Sequence, residues 1–295
     1  MKDLNAAVIS EAVVRHNSNG KSKVIRPNDG KHRSVVVRRS ALTASLLRIA
    51  EKSGVEINCG WKLQDVNFED QQVIFIKEED GEKKVVTYDL LVGADGVHSR
   101  TRKLLANHVN QNGGDFIVRE AVDTMEYQVA VMQRPWKDLL LEEKANTSPL
   151  NQCPPASIHS WADKKTGSTA ICFPIRDSNQ SPIDKFLVCV IFPGGELGKM
   201  KEQGFNAYAS TLSSLFVDWT PDSRLDLARI LAEEDNVPST GGVCVWSQAL
   251  AHPESGVVLI GDAGHGMWPS LGQGGNCALE SVSGKLDNKY VDTYW

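Results

Sequence analysis

The 295-residue chain carries 32 Lys and Arg against 37 Asp and Glu, a formal net charge of -5, with 41% hydrophobic and 23% charged residues. That balance is ordinary for a globular protein of one large or two smaller domains; it excludes disorder as the default and gives no broad attraction to nucleic acid or to anionic membranes. Six scattered cysteines without a C-x-x-C pair, and seven histidines without metal-ligand spacing, argue against a zinc site and a disulfide framework. Residues 1 to 10 lack the pattern of a signal peptide, and the longest clean apolar run, Phe186 to Phe192, is too short to span a bilayer. An intracellular, cytoplasmic protein without a membrane segment is therefore expected; the oligomeric state stays open.

Residues 1 to 37 alternate apolar stretches (Ala6 to Ile9, Val24-Ile25, Val35 to Val37) with polar clusters, the pattern of short strands and turns. No strand, G-x-G-x-x-G and helix unit is present. Leu42, Leu46, Leu47 and Ile49-Ala50 predict an amphipathic helix capped by Ser40 and ended near Gly54, with Arg39 at its start. From Val55 to Tyr88, the segments Val55 to Ile57, Trp61 to Val66, Val73 to Ile76 and Lys84 to Thr87 predict a β-meander.

Asp89 to Arg102, DLLVGADGVHSRTR, predicts a buried strand at Leu90 to Val92, a turn at Asp95-Gly96 and a helix capped by Ser99. Taken alone, this is an ordinary Asp-Gly turn followed by a cap. A polar linker at Asn107 to Asp115 leads to longer strand candidates at Met125 to Met132, Ala156 to Trp161, Ser168 to Phe173 and Lys185 to Phe192. An antiparallel sheet of these strands offers Tyr127, Trp161, Phe173 and Phe192 as a wall facing a reaction space, although most such aromatics are ordinary core. The stretch Leu139 to Pro155 reads as an exposed loop, Lys199 to Phe216 and Ser223 to Glu234 as helices with a new cap near Asp222, and Gly241 to Ala249 as a strand.

The most informative stretch is Val257 to Glu280, VVLIGDAGHGMWPSLGQGGNCALE. Val257 to Ile260 predicts a buried strand, stopped by Gly261-Asp262. An Asp at the carboxyl end of a parallel strand can accept hydrogen bonds from sugar or polyol hydroxyls, the role predicted for Asp262. Pro269, Gly272, Gly274 and Gly275 keep bulk off the backbone so that a flat ligand can approach, and Gln273 to Asn276 open a helix whose amide end favours negative charge. His265 is read as positional rather than as a base. After Ser281 the apolar pattern breaks.

The spacing Gly261-Asp262-Ala263-Gly264-His265, then Pro269, Gly272-Gln273-Gly274 and Asn276, resembles the second FAD motif of the flavin-dependent aromatic hydroxylases, which are single-component monooxygenases. The run from Pro269 to Glu280 is most similar to kynurenine 3-monooxygenase-like members. Asp95, Gly96, Ser99 and Arg102 match that family's D-G-x-x-S-x-x-R pattern, which implies a place near the FAD pyrophosphate and the nicotinamide cofactor. Arg39 would, by the same resemblance, contact the FAD phosphate or adenosine region, where a planar guanidinium can pair with phosphate oxygens.

The resemblance implies an α/β FAD/NAD(P)-binding dinucleotide fold with a β-meander insertion, lacking its first βαβ unit, plus an antiparallel-sheet substrate domain. The implied division is a partial FAD-binding domain at 1-110, a substrate domain at 111-250 and a return to the FAD-binding domain at 251-295. It further implies FAD as cofactor, NAD(P)H as reductant, dioxygen and a small aromatic substrate, with hydroxylation through a flavin hydroperoxide and no side-chain nucleophile or nameable catalytic base. Both ends of the chain depart from the family pattern. The alternatives are a truncated relative without FAD binding or catalysis, and an epoxidase or reductase flavoprotein of the same fold.

Overall fold

The computed structural model describes residues 8-10, 12-17, 22-25, 34-142, 156-178, 181-240, 242-268 and 274-283. The chain opens with β1 (Val8–Ser10), β2 (Val13–Asn17), β3 (Ser22–Ile25) and β4 (Ser34–Val36). Helix α1 (Arg39–Lys52) follows. It begins two residues earlier than a Ser40 cap requires: Arg38 holds the extended cap position, without a side-chain cap bond, and Ser40 lies inside the first turn. Its apolar pattern is also uncovered, with Leu46, Leu47 and Ile49 at 47%, 42% and 52% exposure. Periodicity shows that a helix can bury a face; it does not supply the neighbour that buries it.

The meander consists of β5 (Trp61–Asn67), β6 (Gln72–Lys77) and β7 (Lys83–Thr87), antiparallel in sequence order with an irregularity between Leu63 and Asp65. Val55 to Ile57 is not a strand. Next come β8 (Leu91–Gly93) and α2 (Arg100–Gln111). The helix consumes most of the predicted linker and ends where Gly113 takes φ +82°. The chain continues through β9 (Val118–Val122), β10 (Glu126–Met132), the single turn α3 (Trp136–Leu139), β11 (Ile158–Asp163), β12 (Ser168–Ile175) and β13 (Lys185–Phe192).

The first predicted helix of the following region is in fact two, α4 (Glu196–Gln203) and α5 (Phe205–Leu215), because Gly204 at φ +76°, ψ -162° breaks the run. Glu126 accepts from Leu197 N at 2.9 Å and Gly198 N at 3.2 Å, satisfying the amino end of α4. In α6 (Pro221–Ala232) the cap is Thr220, which accepts from Ser223 N, with Pro221 just inside; Asp222 is in the first turn. The remaining elements are β14 (Ser239–Thr240), β15 (Val243–Ser247), β16 (Ala251–His252), β17 (Val257–Leu259), α7 (Asp262–His265) and α8 (Gly274–Ser283).

These elements form two compact units, one of residues 1-57 and 124-240, the other of residues 58-123 and 241-295. The first is built on a seven-stranded sheet of order β14-β10-β13-β12-β11-β2-β3, antiparallel except for the parallel pair β2 and β11. Strand β13 alternates without a fault: Phe186, Val188, Val190 and Phe192 are buried, while Lys185, Leu187, Cys189 and Ile191 are half-buried. The buried face packs in one core with Leu212, Leu215, Phe216, Leu227 and Leu231 of the helical region. Trp161 and Phe192 lie on that closed face; Tyr127 and Phe173 alternate to the open one. The four aromatics therefore do not form one wall, because a strand's side chains change face at every residue.

The closed face also buries a polar cluster. His16 Nδ1 lies 2.9 Å from Asp218 Oδ2 and 2.9 Å from Ser22 Oγ, and Trp161 Nε1 donates to Asp218 Oδ1 at 2.9 Å. Trp136 stacks on His159, with ring centroids 3.6 Å apart, and Trp161 on His16 at 4.5 Å.

In the second unit β8 and β17 are parallel neighbours in a three-stranded sheet of order β16-β17-β8, and β9 pairs with β15 as an antiparallel ribbon. Its core joins Val66, Phe68 and Val73 of the meander to Leu105 of α2, Phe116, Val257 and Leu259.

Candidate functional site

The two motif strands finish side by side. Leu259 pairs with Gly93, and Ile260 N donates to Gly93 O at 3.0 Å, so the turns after β8 and β17 leave the sheet at the same end. Gly93 permits this: a Cβ there would lie 2.8 Å from Leu259 Cδ2 and 2.9 Å from Thr101 Cγ2. A parallel pair whose carboxyl ends coincide makes the crevice in which α/β sheets bind ligands.

Asp95 turns inward to its own loop. Its Oδ1 accepts from Ser99 Oγ at 2.5 Å, and its Oδ2 accepts from Arg100 N at 2.8 Å, Thr101 N at 2.9 Å and Thr101 Oγ1 at 3.0 Å. Burial alone would raise its pKa, but the bonds from Ser99 and Thr101 outweigh it and hold the carboxyl below its ordinary value. Ser99 is the cap of α2, accepting from Arg102 N at 2.9 Å. Gly96 takes φ +78°, which favours glycine in this turn.

Arg102 is fully buried. Its Nη1 donates to Ala263 O at 2.7 Å, and its Nη2 donates to Val97 O at 2.7 Å and to Glu120 Oε1 at 3.2 Å. Gly266 faces Val97 so closely that a Cβ there would stand 2.9 Å from Val97 Cγ2, and Val245 N donates to Gly266 O at 2.8 Å.

Asp262 behaves differently from Asp95. It follows Gly261 (φ +55°) at the start of α7, is partly exposed, and has no hydrogen bond or ion pair among the described residues. A Cβ built on Gly274, the first residue of α8, would lie 4.0 Å from Asp262 Oδ1, which puts this carboxylate beside the amino end of α8. A Cβ on Gly275 would meet nothing within 4 Å, so the space in front of it is open. His265 Nε2 lies 2.8 Å from Ser281 Oγ, which donates to Cys277 O, tying α7 to α8. Asn276 is exposed on the first turn of α8. Pro269, Gly272 and Gln273 lie outside the described residues.

Of the predicted site residues, Asp95, Gly96, Arg102, Gly261, Asp262, Ala263, Gly274 and Asn276 are thus all in one unit, at or just after the ends of β8 and β17. Arg39 belongs to the other unit, exposed at the start of α1 beside Arg38, whose Nη2 donates to Asp177 Oδ1 at 2.8 Å. Gly93, Val97, Glu120 and Gly266 join the site without having been expected there. Gly93 had a signal, since it opens the G-A-D-G run; Glu120 had none, because its link to Arg102 is purely tertiary. No group of His, Cys, Asp and Glu among the described residues could hold a metal ion, and no helix among them is long and apolar enough to cross a membrane.

An unclaimed carboxylate beside an open, glycine-lined amino end of a ten-residue helix offers acceptors for hydroxyls and amides for an anion. That donor and acceptor set fits a dinucleotide carrying a polyol chain and a ring that gains negative charge on reduction.

The family model described as FAD binding domain matches residues 4–181, more than half of the chain. Kynurenine 3-monooxygenase 2 of Aspergillus niger is 28% identical over 205 residues, covering 68% of this chain and 36% of that protein. Kynurenine 3-monooxygenase of Flavobacterium psychrophilum is 26% identical over 252 residues, covering 84% of this chain and 49% of its own length. The chain therefore spans about half, or less, of these curated relatives. Among solved structures, pqsL of Pseudomonas aeruginosa, a probable FAD-dependent monooxygenase, superposes with a TM-score of 0.64 at 17% identity, over 94% of this chain and 66% of that one, a likeness of fold.

Proposed function

Because the chain belongs to the FAD-binding domain family, with FAD as its cofactor, we propose that it is an NAD(P)H-using monooxygenase hydroxylating a small aromatic substrate. The observation that carries this reading is the unclaimed Asp262 carboxylate beside the amino end of α8. The kynurenine 3-monooxygenases among its relatives support the substrate class. Once reduced by NAD(P)H, bound FAD supplies the activation of dioxygen, one atom entering the aromatic ring and the other leaving as water.

The chain's own residues bind and orient. Asp262 accepts from the polyol hydroxyls, and the amides of Gly274 and Gly275 offset negative charge on the ring. Asp95 and Gly96 contribute through the backbone of their turn, since the Asp95 side chain is committed to α2. Arg39 pairs with FAD phosphate oxygens. Residues 1-110 and 251-295 hold the cofactor and 111-250 the substrate, with Tyr127 and Phe173 on the open sheet face as apolar contacts.

A second reading, a relative that does not retain FAD, is favoured by one observation: the 295 residues contain no G-x-G-x-x-G between strand and helix. Titration of the purified chain with FAD separates the two. The monooxygenase reading expects saturable quenching of flavin fluorescence, followed by NADPH oxidation that depends on an aromatic acid such as kynurenine. Flavin emission that never saturates sinks it for this chain.

A further inference from the structure

We propose that the chain holds a second small-molecule site, built for a free α-amino acid with an apolar or aromatic side chain, at the edge of the seven-stranded sheet where β10 meets the carboxyl end of α6. The site lies within one unit and is independent of the FAD reading. Two adjoining hollows of about 360 and 310 Å³ open there, with Arg229 and Glu233 lining both. Each is at the small end of the range for ligand pockets, the size of a simple metabolite rather than of a dinucleotide. Asp226 draws two guanidiniums together: its Oδ2 accepts from Arg134 Nη2, and its Oδ1 accepts from Arg229 Nη1 at 2.9 Å. One donor of each Arg is thereby used, and the rest of each fork stays available to a second carboxylate. Glu233, by contrast, has no side-chain hydrogen bond or ion pair among the described residues, and it closes α6, where the helix dipole also favours a cation.

Arg134 and Arg229 against Asp226 and Glu233 leave the site neutral, so a plain anion gains little there, whereas a zwitterion matches both poles. The backbone adds a second, independent reason. Among the described residues β14 pairs with β10 only at Glu126 and Tyr127. Past them Val129 O accepts from Asn236 Nδ2 at 3.1 Å on the outer edge, so Val131, two residues on, turns its own N–H and C=O the same way. Neither has a partner among the described residues. An edge residue with one donor and one acceptor, set beside a guanidinium pair, fits the carboxylate and amine of a single amino acid, while Val131, Ile230 and Phe205 give its side chain apolar cover. Asn236 closes the edge at Val129, so a longer peptide has no second residue to pair with.

The test is a titration of the FAD-free 295-residue chain with L-phenylalanine, read in amide NMR shifts. Saturable shifts are expected at Val131, Arg134 and Glu233, with a Kd of about 1 mM. Phenylpropionate, which lacks the ammonium, and phenethylamine, which lacks the carboxylate, should each bind about tenfold more weakly. Arg134→Gln and Glu233→Gln, both at positions that reach solvent, should each weaken L-phenylalanine by a similar factor. The first should abolish the discrimination against phenethylamine and the second that against phenylpropionate. An absence of shifts at these residues, phenylpropionate binding as tightly as L-phenylalanine, or unchanged affinity in either variant would each overturn the proposal. Shifts at Phe173 on the open sheet face without shifts at Arg134 would overturn it too, and would assign the amino acid to the substrate region of the proposed monooxygenase instead.

Discussion

His16 Nε2 lies 3.1 Å from His159 Nδ1, with both rings buried at 3% and 1% exposure, so two titratable groups share one hydrogen bond in the core of the seven-stranded unit. Asp218 and Ser22 engage the other nitrogen of His16, and Trp136 and Trp161 cover the rings. Burial, and then the His16 charge, push the His159 pKa well below its ordinary value of 6.5. A depressed histidine binds its proton more readily unfolded, so its contribution to stability is present above about pH 6.5 and is lost as pH falls toward the folded value. The thermal midpoint should therefore drop between about pH 7 and pH 5, and drop less steeply in His159→Gln. Parallel pH profiles for the two proteins would remove His159 as the cause.

The two motif aspartates should separate stability from ligand retention. Asp95→Ala removes four hydrogen bonds around the start of α2 and is expected to cost about 1–2 kcal/mol in a urea melt without FAD. Asp262→Ala gives up no side-chain hydrogen bond or ion pair among the described residues and should change the same melt by less than about 0.5 kcal/mol, yet weaken FAD binding more strongly than Asp95→Ala. Equal FAD affinity in Asp262→Ala and the parent chain would remove that residue from the site.

Two glycines make a second contrast. Gly93→Ala would drive a methyl group into Leu259 and Thr101 and should cost about 1–3 kcal/mol. Gly275→Ala meets nothing and gains helix propensity, so the fold should tolerate it or gain up to about 1 kcal/mol. Its FAD affinity should nevertheless fall, because the methyl group enters the space left for the ligand. Melting curves and FAD titrations of both variants check the pair.

The faces of the large sheet predict opposite responses to truncation. Phe192→Ala opens the closed core and should cost about 3–5 kcal/mol. Phe173→Ala, from the half-buried open face, should cost less than half of that in a denaturant melt and show its effect in the KM for an aromatic substrate. A stability loss at Phe173 matching that at Phe192 would contradict the assignment of faces.

Legibility in the sequence followed the range of the forces involved. Lys185 to Phe192 was readable to the residue because alternation is local, and the motif strands were readable in place because glycine and Asp mark where they stop, but the burial expected of Leu90 to Val92 does not hold: the strand is Leu91–Gly93, and Leu90 and Val92 are exposed. Strand β9 was hidden, since Val118–Val122 carries Arg119 and Glu120 and gains its order from pairing with β15. β2 was hidden likewise, its Arg15 and Asn17 masking a strand whose His16 is buried by partners from Ser22 to Asp218. Asp95 and Asp262 look alike in sequence, each beside a glycine at a strand end. Only the position of Ser99 and Thr101 relative to one, and of Gly274 relative to the other, tells the structural carboxylate from the available one.

The parallel pairing of Gly93 with Leu259 also constrains how the protein is made. On the ribosome, β8 emerges long before the strand that will lie beside it, and at about 5–20 residues per second its edge waits on the order of ten seconds for that partner. Throughout that interval Val92 and Leu90, exposed even in the finished protein, offer an apolar template to any other nascent strand nearby. Slowed translation of the codons between Gly93 and Val257 should therefore lower soluble yield more than slowing anywhere upstream of β8.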